Sequence, residues 1–180
     1  MTSNEIRVDA QLISGFTINS ATAFLWVKDA ARYIMREHPL SAPRKTVEIE
    51  VNSEGQTYSA TDEIVRIEIV RLKGSRANVQ PNVYTCDELG NFTFYHKGIY
   101  EITYRYVAEM PNSADIAISL PDKYAEPIKY YLASQIRGRT AGHDDGEAQQ
   151  FNGLFQQYIA DADISMARVN KRYRRMPARF

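Results

Sequence analysis

The hydrophobic repeat of this chain changes twice, from a helical period to a strand period and back, and this constrains the fold more than any single motif. Phe24, Val27, Ala31 and Ile34 recur at helical spacing with Lys28, Asp29 and Arg32 between them, which predicts an amphipathic helix over about 20–37. Asn19 or Ser20 can cap its start. His38-Pro39 ends it, because the residue before a proline avoids the α region. The first fifteen or so residues mix polar and apolar types and carry no assignable pattern.

From Pro43 the period becomes two. Val47, Ile49 and Val51 alternate with Thr46, Glu48 and Glu50, the pattern of a half-buried strand. Asn52-Ser53-Glu54-Gly55 reads as a hairpin turn into Gln56-Thr57-Tyr58. A second alternation places Val65, Ile67 and Ile69 on one face with Arg66 and Glu68 on the other. Residues 73–81 form a loop. Gly90-Asn91 and His96-Lys97-Gly98 are tight connections, and Cys86 reads as a strand residue. The clearest strand follows, with Tyr100, Ile102, Tyr104 and Tyr106 facing one way and Glu101, Thr103 and Arg105 the other. Strands span about 46–108, and their short connections favour antiparallel pairing.

After Pro111 the helical period returns. Ser119-Leu120-Pro121-Asp122 has the form of a helix entry, and Tyr124, Ile128, Tyr131, Leu132 and Ile136 form a stripe over about 121–137. Pro127 must either bend that helix or mark its true first turn. A polar link from Gly138 to Gly146 leads to a final helix over about 147–165, carried by Phe151, Leu154, Phe155, Tyr158, Ile159 and Ala162. Its pattern runs on through Met166 and Val169, farther than a small sheet can cover. Segregated helices and strands argue for an α+β fold. The expected arrangement is a small helical bundle, built from N-terminal and C-terminal helices, with an inserted antiparallel β-sheet. Residues 1–165 are read as one domain and 166–180 as a basic C-terminal arm.

Little in the sequence asks for catalysis. There is no nucleophile elbow, no phosphate-cradling glycine loop and no His-Glu-x-x-His. The single cysteine excludes an internal disulfide and a cysteine-based zinc site. His38 and His96 lie at a helix end and in a turn, where solvation is the expected state. His143-Asp144-Asp145 is the one metal-like run. Its residues are consecutive in a glycine-flanked link, and acids leading into a helix N-terminus explain them better. No metal, cofactor or enzymatic activity is therefore expected. Apolar runs fall short of the ~20 residues that a membrane span needs, and the N-terminus lacks a signal-peptide pattern. Synthesis and assembly in a cytoplasm are expected, with no membrane contact.

Twelve tyrosines accompany one tryptophan, which suits either half-buried interfaces or pairing across a sheet. Charge balances at 22 cations and 22 anions, so the chain as a whole has no bias toward polyanions. Its distribution is uneven, however. Arg168, Lys171, Arg172, Arg174, Arg175 and Arg179 crowd the last thirteen residues with no acid among them. A helix C-terminus needs only one or two cations to complement its dipole. The surplus points to a partner, either DNA phosphates or an acidic protein surface. Tyr173, Met176 and Phe180 interleave the charges and suit a protein groove at least as well.

Taken in order, these segments resemble the head-to-tail adaptor (connector) family of tailed bacteriophages. The residues that carry the resemblance are Ala31-Arg32-Tyr33-Ile34-Met35-Arg36-Glu37-His38-Pro39, then Phe92-Thr93-Phe94-Tyr95, the strand 99–107, Leu120-Pro121-Asp122-Lys123-Tyr124-Ala125-Glu126, and the segment 151–158. It covers about residues 20–165. Pro127, where the family usually has an uninterrupted helix, and the longer basic end after Met166 depart from it. The resemblance implies a structural virion protein at the neck, the head–tail junction. It further implies a homo-oligomeric ring, usually a dodecamer, docked on the portal protein. Such a ring extends the channel for genomic DNA and offers a platform for the stopper or tail protein. The six C-terminal cations would then form the portal-facing or DNA-facing arm. A nucleic-acid-binding module using the basic C-terminus, another virion or tail assembly protein, and a small hydrolase or carbohydrate-binding domain suggested by the aromatic strands are the alternative readings.

Overall fold

A computed structural model describes residues 1–80, 82–141 and 145–175, with side chains to residue 168. The chain divides into two compact units: Ala42–Ala108, and Met1–Ser41 together with the chain from Glu109 onward. The first is all β and the second helical, so the α+β class holds.

In the helical unit, α1 (Ser3–Ser14) occupies the stretch to which the hydrophobic pattern assigned nothing. Its signal is a capping box. Thr2 accepts from the Glu5 amide at 3.2 Å while Glu5 accepts from the Thr2 amide at 2.7 Å, so two orphan donors are satisfied reciprocally. Ile6 and Ala10 are buried one turn apart, and Gly15 ends the helix at a φ of 74°, a left-handed conformation that glycine adopts without strain. α2 (Ser20–Glu37) is capped by Asn19, which accepts from the Thr22 amide at 2.8 Å. It buries Val27, Ala31 and Ile34 along with Ala23, Ala30 and Met35.

Asp122–Tyr124 form one 3-10 turn, without a side-chain cap, ahead of α3 (Ala125–Ala141). Pro127 is the third residue of α3, where the amide it lacks would have no intrahelical acceptor. α4 (Gly146–Arg175) opens at Asp145, whose carboxylate accepts from the amides of Glu147 and Ala148 at 3.0 and 3.1 Å. α3 packs on both α4 and α1, and α2 touches α1 and α3. Between them Tyr131 and Phe155 meet at 5.3 Å, and Tyr130 stacks flat on Tyr158 at 5.1 Å.

The β unit holds two sheets where the alternation pattern suggested one. Strands β1 (Arg44–Val51), β6 (Gly98–Tyr106) and β3 (Ile64–Leu72) form one, in the order β1-β6-β3. Strands β2 (Gln56–Ser59), β5 (Asn91–Phe94) and β4 (Tyr84–Cys86) form the other, in the order β2-β5-β4. All pairings are antiparallel. The Asn52–Gly55 turn therefore does not close a hairpin: β1 pairs with β6, and β2 crosses to the second sheet against β5. Within that turn the Asn52 amide donates to the Gln56 side chain at 2.8 Å and Gly55 to the Phe94 carbonyl at 2.8 Å. A corner turn and a hairpin turn need the same residue types, so composition could not separate them.

One core joins the sheets. Val51, Tyr100, Ile102 and Tyr104 come from the first, and Phe92 and Phe94 from the second; Phe94 and Tyr100 rings lie 4.5 Å apart. β3 departs from the predicted faces. Its register slips between Ile64 and Arg66 and again between Ile67 and Ile69, so Ile64, Ile67 and Val70 reach the core in place of the Val65, Ile67 and Ile69 set. Each extra residue at a bulge turns the following side chains to the opposite face.

Candidate partner-binding surfaces

The polar face of the first sheet is an ordered ladder of charge. Arg44 and Arg105 stand opposite each other across β1 and β6, a repulsive placement that Glu68 resolves by taking Arg44 at 2.8 Å and Arg105 at 2.7 Å. Arg105 is only 9% exposed and also donates to the Ala42 carbonyl at 2.7 Å. Thr46 and Thr103 bond at 3.0 Å, Lys73 pairs with Glu48 at 2.8 Å, and Arg71 pairs with Glu101 at 2.5 Å. Burial pushes the Glu68 carboxyl up, but the Arg105 bond and the surrounding guanidinium charges outweigh it and hold it below the usual carboxylate range. At Asp62 burial again opposes, and bonds from Lys45 and Tyr104, both at 2.7 Å, lower the carboxyl overall. These pairs complete each other and leave little charge for a ligand.

His38, expected to be solvated, is instead three-quarters covered: its side chain is 22% exposed and its Nδ1 lies 2.5 Å from Asp163. The partner sits 125 residues later, beyond the reach of any local pattern. Asp163 also accepts from the Tyr124 hydroxyl at 2.6 Å, and Lys123 bonds Ser165. The cluster pins α4 just after Ala162, the last buried residue among those described. His96 is exposed in its turn. Cys86 lies on β4, and burial pushes its thiol up, with the nearby Asp87 adding to the effect. A thiol so placed is a poor nucleophile. Asp145 caps α4 and takes Arg137 at 3.1 Å, whereas His143 and Asp144 lie outside the described residues.

Past Ser165, α4 continues for ten more residues, about 15 Å of helix. Arg168 is exposed. Lys171, Arg172, Arg174 and Arg175 occupy the helix after it, and Arg179 lies outside the described residues. The tyrosines divide. Tyr100, Tyr104 and Tyr124 are wholly buried, and burial pushes the Tyr100 and Tyr104 hydroxyls up. Tyr33 and Tyr95 are exposed at 44% and 41%. Core packing thus accounts for part of the tyrosine content, and only some rings remain available to partners.

Two smaller features complete the surface. Leu89, between β4 and β5, is 82% exposed. A hollow of about 360 Å³ lies on the helical unit among Ile18, Asn19, Ile136, Arg139 and Thr140. Among the described residues, no group of three His, Cys, Asp or Glu side chains is placed to hold a metal ion. No helix there is long and apolar enough to cross a membrane.

No curated protein matches the chain. A family model, SU10 adaptor protein, matches residues 3–179, nearly the whole sequence. Its span takes in both units and the basic end of α4. The chain belongs to the SU10 adaptor protein family of phage head-to-tail adaptors and is a structural protein of the virion.

Proposed function

We propose that this chain forms a homo-oligomeric ring, a dodecamer, beneath the portal at the head–tail junction. The ring extends the DNA channel and presents the platform on which the stopper or tail protein docks. In this reading the four helices act as one bundle and the β unit is an insertion between α2 and α3. The observation that carries the reading is the family match across residues 3–179. Supporting it, α4 runs on past the Lys123–Ser165 bond with a run of cations and no acid. Arg168, Lys171, Arg172, Arg174, Arg175 and Arg179 then form the partner-binding arm, directed to the portal or to DNA in the lumen.

Negative-stain microscopy of the protein with and without portal-bearing, DNA-packaged heads tests this. Rings, free or capping the portal vertex, are the expected result. Truncation after Met166 is expected to abolish capping while leaving the monomer folded. Unchanged capping by the truncated chain would remove the arm from the reading. The same basic end favours a second reading, a nucleic-acid-binding module. It predicts tight binding of short DNA that weakens steeply with salt, in a chain that ignores heads.

A further inference from the structure

Three helices of the helical unit leave an aromatic groove open on its surface. Tyr33 of α2, Tyr131 of α3 and Phe155 of α4 meet there, with the Phe155 ring 6.2 Å from Tyr33 and 5.3 Å from Tyr131. Phe155 is buried and forms the floor. Tyr33 is 44% exposed and Tyr131 half-buried, so the two tyrosines supply the apolar surface that a partner can touch. The groove holds about 430 Å³ and is bordered on the α4 side by Asn152 and Gln156, both exposed. Among the described residues Asp29 is the one charged side chain that lines it, and there it has no ion pair. Its charge adds to burial in pushing the Tyr131 hydroxyl up. Arg32, Arg36 and Glu37 line an adjoining hollow that shares Asp29 and Tyr33.

Tyrosine rings with one acid at the rim suit an apolar segment that carries one cation. Met176-Pro177-Ala178-Arg179-Phe180 has that composition, with Arg179 and no acid. An arginine stacks on tyrosine faces while its guanidinium pairs with a carboxylate, and a phenylalanine packs against the same rings. The five residues follow directly on α4, which ends at Arg175 because Pro177 keeps the residue before it out of the α region. They cannot reach the groove of their own chain. Arg175 lies about 28 Å beyond Gln156 along α4, and five residues span at most about 18 Å. The groove within their reach is that of another copy.

We infer that residues 176–180 of one copy seat in the Tyr33–Tyr131 groove of a second copy, with Arg179 facing Asp29 and Phe180 on the tyrosine rings. Segment and groove differ, so the contact is heterologous and repeats from copy to copy until the rotation closes a ring. The inference rests on the ring proposed above and assigns one of its subunit contacts. It gives Arg179 to the neighbouring copy and leaves the cations of α4 to the portal or to DNA.

Cross-linking on portal-bearing heads tests it, in a Cys86→Ser background that itself forms rings. Chains with Asn152→Cys, an exposed rim position, are mixed with chains carrying Phe180→Cys and oxidised. A covalent pair of the two chains is expected. Deletion of residues 176–180 is expected to raise the concentration for half-assembly about tenfold or more, as loss of a central anchor does. Asp29→Arg and Arg179→Glu should each raise it roughly threefold to tenfold. An equimolar mixture of those two variants should assemble like the wild type, because each segment then meets a groove of opposite charge on the other variant. Rings that form without the cross-link, or that the deletion leaves unchanged, would overturn the inference and leave the ring standing. So would Phe180→Cys joined to the portal protein in place of a second copy. A wild-type chain that never self-associates, free or on heads, would overturn both.

Discussion

Glu68 holds two arginines that would otherwise repel, and it does so on a bulge. The register slip between Ile67 and Ile69 leaves it unpaired, one of two such residues in β3. Its carboxylate lies between Arg44 and Arg105. Glu68→Gln removes the negative charge between Arg105, 9% exposed, and Arg44. A loss of about 2–3 kcal/mol in the β unit is expected, by urea denaturation at neutral pH. The same geometry sets an acid limit. Glu68 and Asp62 are both held below the ordinary carboxylate range, so on acidification the unfolded chain binds protons before the folded one does. Their contribution to stability is full above the ordinary carboxylate values, about 4, and is lost as pH falls through the lower folded values. Thermal unfolding followed from pH 6 down to 3 should show this loss, and Glu68→Gln should flatten its slope.

At the scale of elements, the far part of α4 is held through two of its own side chains, Asp163 and Ser165. Among the described side chains its apolar stripe buries nothing after Ala162, and the next turn is held by Asp163 to His38 and Tyr124 and by Ser165 to Lys123. Asp163→Ala should cost about 2 kcal/mol, and amide exchange after residue 160 should quicken while the first turns of α4 keep their protection. The periodic segments were legible in the sequence because Val27, Ala31 and Ile34, or Tyr100, Ile102 and Tyr104, each face a single core. Local capping and first-turn rules narrowed the start of α2 to Asn19 or Ser20 and Pro127 to a bend or a first turn, and the structure selects Asn19 and the first turn. α1 was legible only through the Thr2–Glu5 box; its apolar face is Ile6 and Ala10, too thin for a period count. What no local rule supplies is pairing at a distance: β1 with β6, His38 with Asp163, and the two β3 bulges that move Val70 inward. The crowding of C-terminal cations could be read directly, but the exposure of Leu89 could not, because it depends on how the Asp87 turn closes.

The whole molecule has two cores. Phe92 and Phe94 centre the core of the β unit, and Ile34, Leu132 and Ile136 belong to the helical one. Phe92→Ala should remove about 3–5 kcal/mol from the β unit. Native-state hydrogen exchange is expected to lose protection in residues 42–108 while α2 and α3 retain theirs. Equal loss in both would mean that the units open together.

The first sheet also dictates when the protein can exist. Its middle strand is β6, which pairs Val51 with Gly98 at one end and Arg44 with Arg105 at the other. β1 and β3 therefore leave the ribosome with no partner, and wait while the intervening chain is made. α1 and α2 wait longer for α3, which begins at Ala125. The β unit can close only once β6 has emerged, and the helical unit only after α3 and α4 have followed, so the β unit completes first. Synthesis thus delivers a finished β unit ahead of the helical one, whose first two helices must be held until the last two arrive.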